Sequence, residues 1–383
     1  MAESFLIVGA GISGLATAVA LQRHGHTVRV IEERDDTSAG TAISMWPNAL
    51  AALDEIGLGG AVRDAGGSVE AGSTRWINGR WLGRPNPDRM TRALGEPLVV
   101  LRRATLMDIL GSALTPQTVQ LGVAATRVAT NGGAIRLECS DGQVREASAL
   151  VGADGTRSML ARWLNGPLRD RYAGYTAWRG IADIGIEPGL AGETLGPGAE
   201  FGHVPLGPDH TYWFATERVA EGQQHDDELA YLRGHFASWP DPIPELMAAT
   251  DPRNVIRNDL YDRQTARRWT AGSTVIVGDA AHPMRPHLGQ GGCQGIEDAA
   301  ILAACVDAEA DLPTAFATFA KIRKRRTRPI VRESRRIGQV MNLRPEWLGA
   351  AAVRASALVP EPLLTRHLAT IASRQAFNAS SHG

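Results

Sequence analysis

The residues best suited to chemistry lie near the start of the chain, in Gly9-Ala-Gly11-Ile-Ser13-Gly14, with Glu32 following at the end of the next apolar run. Glycines at this spacing permit a tight turn, a close backbone approach to a pyrophosphate and close packing of a helix on a strand, while the helix N-terminus attracts phosphate. Glu32 is placed to accept hydrogen bonds from ribose hydroxyls. The pattern denotes an adenine dinucleotide without choosing between NAD and FAD. Two later segments carry acids beside glycines: Val151-Gly-Ala-Asp154-Gly155-Thr-Arg-Ser158, and Val277-Gly-Asp279-Ala-Ala-His282-Pro, running on to Pro286-His287-Leu-Gly289-Gln-Gly291-Gly292.

The elements around these residues read as an α/β protein. Phe5-Leu-Ile-Val8 and residues 27–31 are apolar runs of the kind buried on both faces of a parallel sheet, and residues 15–24 between them form the helix of a βαβ unit. Helices are predicted at 48–58, with Gly57 as a stop, and at about 103–114. Residues 124–151 alternate like an antiparallel meander that ends in the buried strand 149–152. Between 172 and 270 aromatics, prolines and glycines accumulate, which indicates a separate strand-rich lobe. Residues 274–277 then return to a buried strand, followed by a glycine-rich loop and a helix from about 295 to 308. Residues 314–342 are helical and basic, with a face read as solvated, and an Ala/Leu-rich helical tail runs to about 377. The expected division is a dinucleotide-binding domain at 1–171, with a small excursion near 72–98, a strand-rich lobe at 172–270, a return to the first domain at 271–320 and C-terminal helices at 321–383.

In order and spacing the three motifs together resemble the signatures of the class A flavoprotein aromatic hydroxylases. That FAD-dependent monooxygenase family includes para-hydroxybenzoate, salicylate and urate hydroxylases and zeaxanthin epoxidase. The likeness covers nearly the whole chain and is weakest at 172–270. It implies a Rossmann-like FAD domain with a parallel sheet, an inserted, mainly antiparallel substrate lobe and a helical C-terminal cap. It further implies that Gly9, Gly11, Ser13 and Gly14 approach the FAD pyrophosphate, that Glu32 meets the adenosine ribose, and that Asp279 meets the ribityl or phosphate region. Arg103, in Arg-x-x-Leu-x-x-x-Leu, lies near the flavin chain by the same resemblance, with Arg102 as the competing register. Asp154 either shapes the cofactor surface or holds a turn. Pro286, Gly289, Gly291 and Gly292 present backbone N–H groups to the isoalloxazine, where a Cβ would obstruct the flat ring.

The implied reaction consumes NADH or NADPH and O2, and inserts one oxygen atom into a small ring-containing substrate through a flavin C4a-hydroperoxide. Epoxidation of an electron-rich double bond, oxygen-independent flavin dehydrogenation, and a flavin-binding regulatory role are the competing readings. Nicotinamide is expected to visit without its own Rossmann domain, because no second G-x-G-x-x-G stands in a βαβ context. Arg179 and Tyr212 are the candidate substrate contacts, and His287 is the candidate active-site polar group beside the flavin. Glu200 or His203 offers a base, Met45 and Trp46 border the cavity or simply pack, and His282 is structural. Net charge −1 with 21% charged residues argues against nucleic acid as a partner. Three cysteines without a C-x-x-C pair suggest neither disulfides nor zinc, so no metal is expected. Apolar runs shorter than a membrane span of ~20 residues and an early first strand predict a cytoplasmic monomer or homodimer.

Overall fold

The computed structural model describes residues 2–36, 40–131 and 134–381. The unalternated apolar runs lie side by side as a sheet. Its order is Thr270–Ala271, Thr274–Ile276, Ala149–Gly152, Ser4–Val8, Thr27–Ile31 and Val119–Gln120. Every neighbouring pair is parallel except the antiparallel edge strand Thr270–Ala271. Parallel strands need cover on their faces, and the helices Ile12–Arg23 and Gly291–Ala308 supply much of it while packing on each other. Phe5, Leu6, Ile7 and Leu150, Val151, Val275 are at most 2% exposed and form the centre of the main core.

A second, seven-stranded sheet runs Ile256–Arg263, Asp170–Ala182, Thr211–Glu217, Ala199–Pro205, Gly192–Gly196, Ser73–Trp76 and Trp81–Gly83. It is antiparallel apart from the parallel pairing of Gly192–Gly196 with Ser73–Trp76. Alternation decides its two faces. Trp178, Phe201 and Trp213 point to one side, where helices Glu228–His235 and Ile243–Ala248 close an aromatic core. Arg179, Glu200, Tyr212 and Phe214 point to the other, toward the glycine loop at 286–292. The α/β class with a parallel sheet, an antiparallel lobe and C-terminal helices is thus the observed one. The meander is the three-stranded sheet Ala125–Asn131, Ala134–Cys139 and Val144–Ala147, its residues 132 and 133 lying outside the described set.

Two readings of the helices need correction. The helix expected from about 295 begins at Gly291, so the end of the glycine loop is its first turn. Poor glycine propensity is overridden there because a Cβ on Gly292 would sit 2.8 Å from Ile43 Cδ1. The basic helix, observed as Leu312–Met341, is not simply a solvated face. Arg323 is fully buried and donates to Glu297 Oε2 at 2.5 Å, Asp298 Oδ1 at 2.6 Å and the Gln294 carbonyl at 3.0 Å. Asp298 also accepts from the Gly278 N–H at 2.7 Å and lies 2.7 Å from His282 Nε2, which gives that histidine its structural place. The long helix therefore clamps the Gly291–Ala308 helix to the Gly278 turn. Helices Glu346–Ala355, Glu361–Ala372 and Arg374–Ser381 complete the C-terminal cap.

Candidate active site

The glycine motif opens onto a cavity of about 540 Å³ lined by Gly9, Gly11, Ser13, Glu32, Arg103, Asp154 and Asp279. Its glycines divide their tasks. Gly9 turns the chain at φ 103°, and a side chain there would strike the Ala153 carbonyl. A Cβ on Gly14 would strike the Gly9 carbonyl, so Gly14 serves helix–strand packing and does not line the cavity. Only at Gly11 would a Cβ project into open space, leaving the backbone bare beside the helix N-terminus. Such an N-terminus with its unpaired N–H groups suits a phosphate. Ser13 fills the narrow gap against Gly278 and Gly295.

Around that opening, Glu32 is 5% exposed and accepts from the Ala10 N–H at 2.8 Å, which fixes its carboxylate at the cavity rim. Asp154 does two things. Its Oδ2 accepts from the Met159 and Leu160 N–H groups at 2.7 and 3.2 Å, and so holds the start of helix Met159–Asn165. Its Oδ1 is buried with no hydrogen-bond partner among the described residues. Of the two arginine registers, Arg103 reaches the cavity, whereas Arg102 is exposed at the N-cap position of helix Arg103–Ser112 and its side chain makes no capping hydrogen bond. An open glycine, a helix N-terminus, a rim carboxylate and an orphaned acceptor are a donor and acceptor set that fits the phosphates and riboses of a dinucleotide.

A second cavity of about 560 Å³ adjoins the first, and the two share Ile43, Asp279, Gly291 and Gly292. Its lining is mainly apolar, with Trp46, Val69, Leu98, Val204, Phe214 and Leu368. Trp46 belongs to this wall, while Met45 is fully buried in the main core. Pro286, Gly289, Gly291 and Gly292 border it from the glycine loop, so the first turn of helix Gly291–Ala308 faces the junction.

A family model for a FAD binding domain covers residues 3–334 of the chain. The chain belongs to this FAD-dependent aromatic monooxygenase family. It is 38% identical over 341 residues to the aurachin C monooxygenase/isomerase of Stigmatella aurantiaca, covering 88% of each chain. It is 30% identical to the FAD-dependent urate hydroxylase of Klebsiella pneumoniae, covering 89% of this chain and 92% of that one. A crystal structure of Klebsiella pneumoniae HpxO complexed with FAD and uric acid superposes with a TM-score of 0.89 at 25% identity, covering 96% of both chains. The protein is a flavin monooxygenase and FAD is its cofactor.

In this monooxygenase Tyr212, Arg179 and His287 all line the second cavity. Tyr212 is 9% exposed and packs with Val69, Val100 and Ile181, so contact with the cavity and packing coincide in one ring. Arg179 donates to Asn258 Oδ1 at 3.1 Å, on the neighbouring edge strand Ile256–Arg263. His287 Nε2 lies 2.7 Å from the Tyr175 hydroxyl, and burial together with the nearby Arg285 charge pushes the imidazole down to about 4. It is therefore neutral at neutral pH. Glu200 is buried in the cavity wall, but His203 points to the opposite face with Phe201 and does not line it.

Sequence reasoning missed several neighbours. Arg285 stacks over the Tyr175 ring at 5.4 Å and is held by Asp262 at 2.6 and 3.0 Å. Gly338 of the long helix lies against this cluster, and a Cβ there would come within 2.6 Å of Arg285 and of His287 Nε2. Glu193, on the strand beside Glu200, also opens into the cavity. A glycine inside a basic helix was a weak signal for close approach; nothing local marked Glu193. Among the described residues no helix is long and apolar enough to cross a membrane.

Proposed function

We propose that this monooxygenase inserts one oxygen atom into a small aromatic or heteroaromatic ring seated in the second cavity, with NADH or NADPH as electron donor. The observation that carries the reading is the junction of the two cavities at Ile43, Asp279, Gly291 and Gly292. It leaves one end for a dinucleotide and sets an apolar chamber of substrate size against the other. FAD, when bound, supplies the redox chemistry with dioxygen. The residues of the chain do the rest. Trp46, Val69 and Leu98 keep water from the chamber, and Phe214 offers a ring face on which a planar substrate can lie. Tyr212 and Arg179 offer polar contacts, and neutral His287 can accept or donate a hydrogen bond without bringing a charge into the apolar chamber.

The test is a panel of small rings, headed by uric acid, incubated with the yellow holoprotein, NADH or NADPH and air. Products that gain one oxygen atom by mass spectrometry, with nicotinamide oxidation stimulated by the same compound, support the reading. Stoichiometric reduction of a compound under argon without oxygen insertion would replace it with a dehydrogenase.

A further inference from the structure

Two glutamates on adjacent strands look into the second cavity. Glu193 pairs across from Gly202 and Glu200 from Leu195, so the carboxyls lie diagonally on one strand pair, within mutual reach. The ring of Phe214 covers Gly202 between them, where a side chain would collide with it. Glu200 accepts from Thr216 Oγ1 at 3.2 Å, and His287 Nδ1 lies 3.7 Å from the same oxygen.

What the pair lacks is a cation. Among the described residues neither carboxyl forms an ion pair with an arginine or lysine. Of the two arginines of the cavity wall, Arg285 is held by Asp262, and Arg179 donates to Asn258 and pairs with neither glutamate. Burial raises both acids above the ordinary carboxylate range, and Glu193 raises Glu200 further. Glu200 is buried and Glu193 half-buried, and such a pair is costly to keep ionised with no positive partner; a donor arriving with the ligand would offset that cost.

We propose that Glu193 and Glu200 determine substrate specificity: they grip the N–H or amino group of a nitrogen-bearing ring lying on Phe214, and they reject rings that carry a carboxylate. The assignment rests on the monooxygenase reading only in placing the substrate in this cavity. A carboxylate ligand would add negative charge to a site that already disfavours the ionised form of its own two acids, whereas a donor stabilises that form, so discrimination arises from repulsion as well as attraction.

The experiment titrates the oxidised holoenzyme, without nicotinamide, with two planar bicyclic probes, 2-aminobenzimidazole and 2-naphthoate, and follows the visible flavin spectrum. The amine is expected to bind at least about tenfold more tightly. Glu193→Gln and Glu200→Gln should each shrink that preference, and the double variant should erase it, with flavin content and melting temperature recorded for each. If Glu200→Gln loses flavin, Glu193→Gln decides alone, with Glu193→Asp expected to restore the preference. Equal or tighter binding of 2-naphthoate, no spectral response to 2-aminobenzimidazole, or a preference that survives substitution overturns the proposal. Because no turnover is involved, these outcomes are independent of whether oxygen is inserted.

Discussion

Gly11 and Gly14 belong to one motif but fail differently when changed. Gly11→Val would fill the motif's one open glycine position with a side chain where the pyrophosphate approaches. FAD affinity should fall by about a hundredfold or more in a flavin fluorescence titration, while thermal unfolding of the apoprotein stays near wild type. Gly14→Ala would press a methyl group on the Gly9 carbonyl and should cost about 1–3 kcal/mol of stability in urea unfolding. At His203, burial lowers the imidazole to about 4, against 6.5 in the unfolded chain. The unfolded state therefore binds more protons between those values, and stability is present in full above pH 6.5 and lost as pH falls toward 4. His203→Leu should gain about 2 kcal/mol relative to wild type at pH 5, a difference that vanishes near pH 8 apart from any packing effect. An equal difference at both values would contradict the assignment.

Among the elements, the long helix Leu312–Met341 reaches further into function than its basic sequence indicates. Removing Arg323 leaves Glu297 and Asp298 buried without their main cation. Arg323→Met should lower stability by about 3–5 kcal/mol, measured by urea unfolding, and Arg323→Lys should recover little because one ammonium cannot replace a fork serving three acceptors. Fifteen residues further along, at Gly338, the same helix touches the cavity cluster. Gly338→Ala is expected to weaken binding of a turnover substrate by about tenfold while FAD stays bound, because the methyl group displaces Arg285 and His287. Gly111→Ala, in the separate helix Arg103–Ser112, is the control: its added Cβ meets nothing within 4 Å, so stability should hold or rise slightly. Loss of flavin in Gly338→Ala would show that the helix supports the first cavity and not the second.

For the molecule as a whole, FAD is predicted to be a structural tie. Gly11, Arg103, Asp154 and Asp279 line one cavity although they come from four separate stretches of chain. A ligand that binds only the folded state stabilises it by RT ln(1 + [L]/Kd), about 4 kcal/mol at a thousandfold excess over Kd. Stripping the flavin should lower the melting temperature and raise proteolysis, and adding FAD back should restore both. A melting temperature indifferent to FAD would contradict the site.

Local rules carried the reading where the chain does its work through nearby residues. The glycine turn, the buried parallel strands and the Asp279 segment depend on backbone geometry, close packing and period, and these are written in contiguous sequence. Arg103 could be separated from Arg102 only by seeing which one the helix start turns inward. Glu200 and His203, three residues apart on one strand, were equal candidates until the sheet showed one side facing the cavity and the other an aromatic core. Arg323 looked like one more basic residue because its acids lie on another helix. Glu193 gave no sign at all, since its meaning comes from a neighbouring strand and from having no ion-paired cation among the described residues. What the sequence determined was the cofactor and the family; which side chains share a cavity, and with what charge, was decided only when distant strands were brought together.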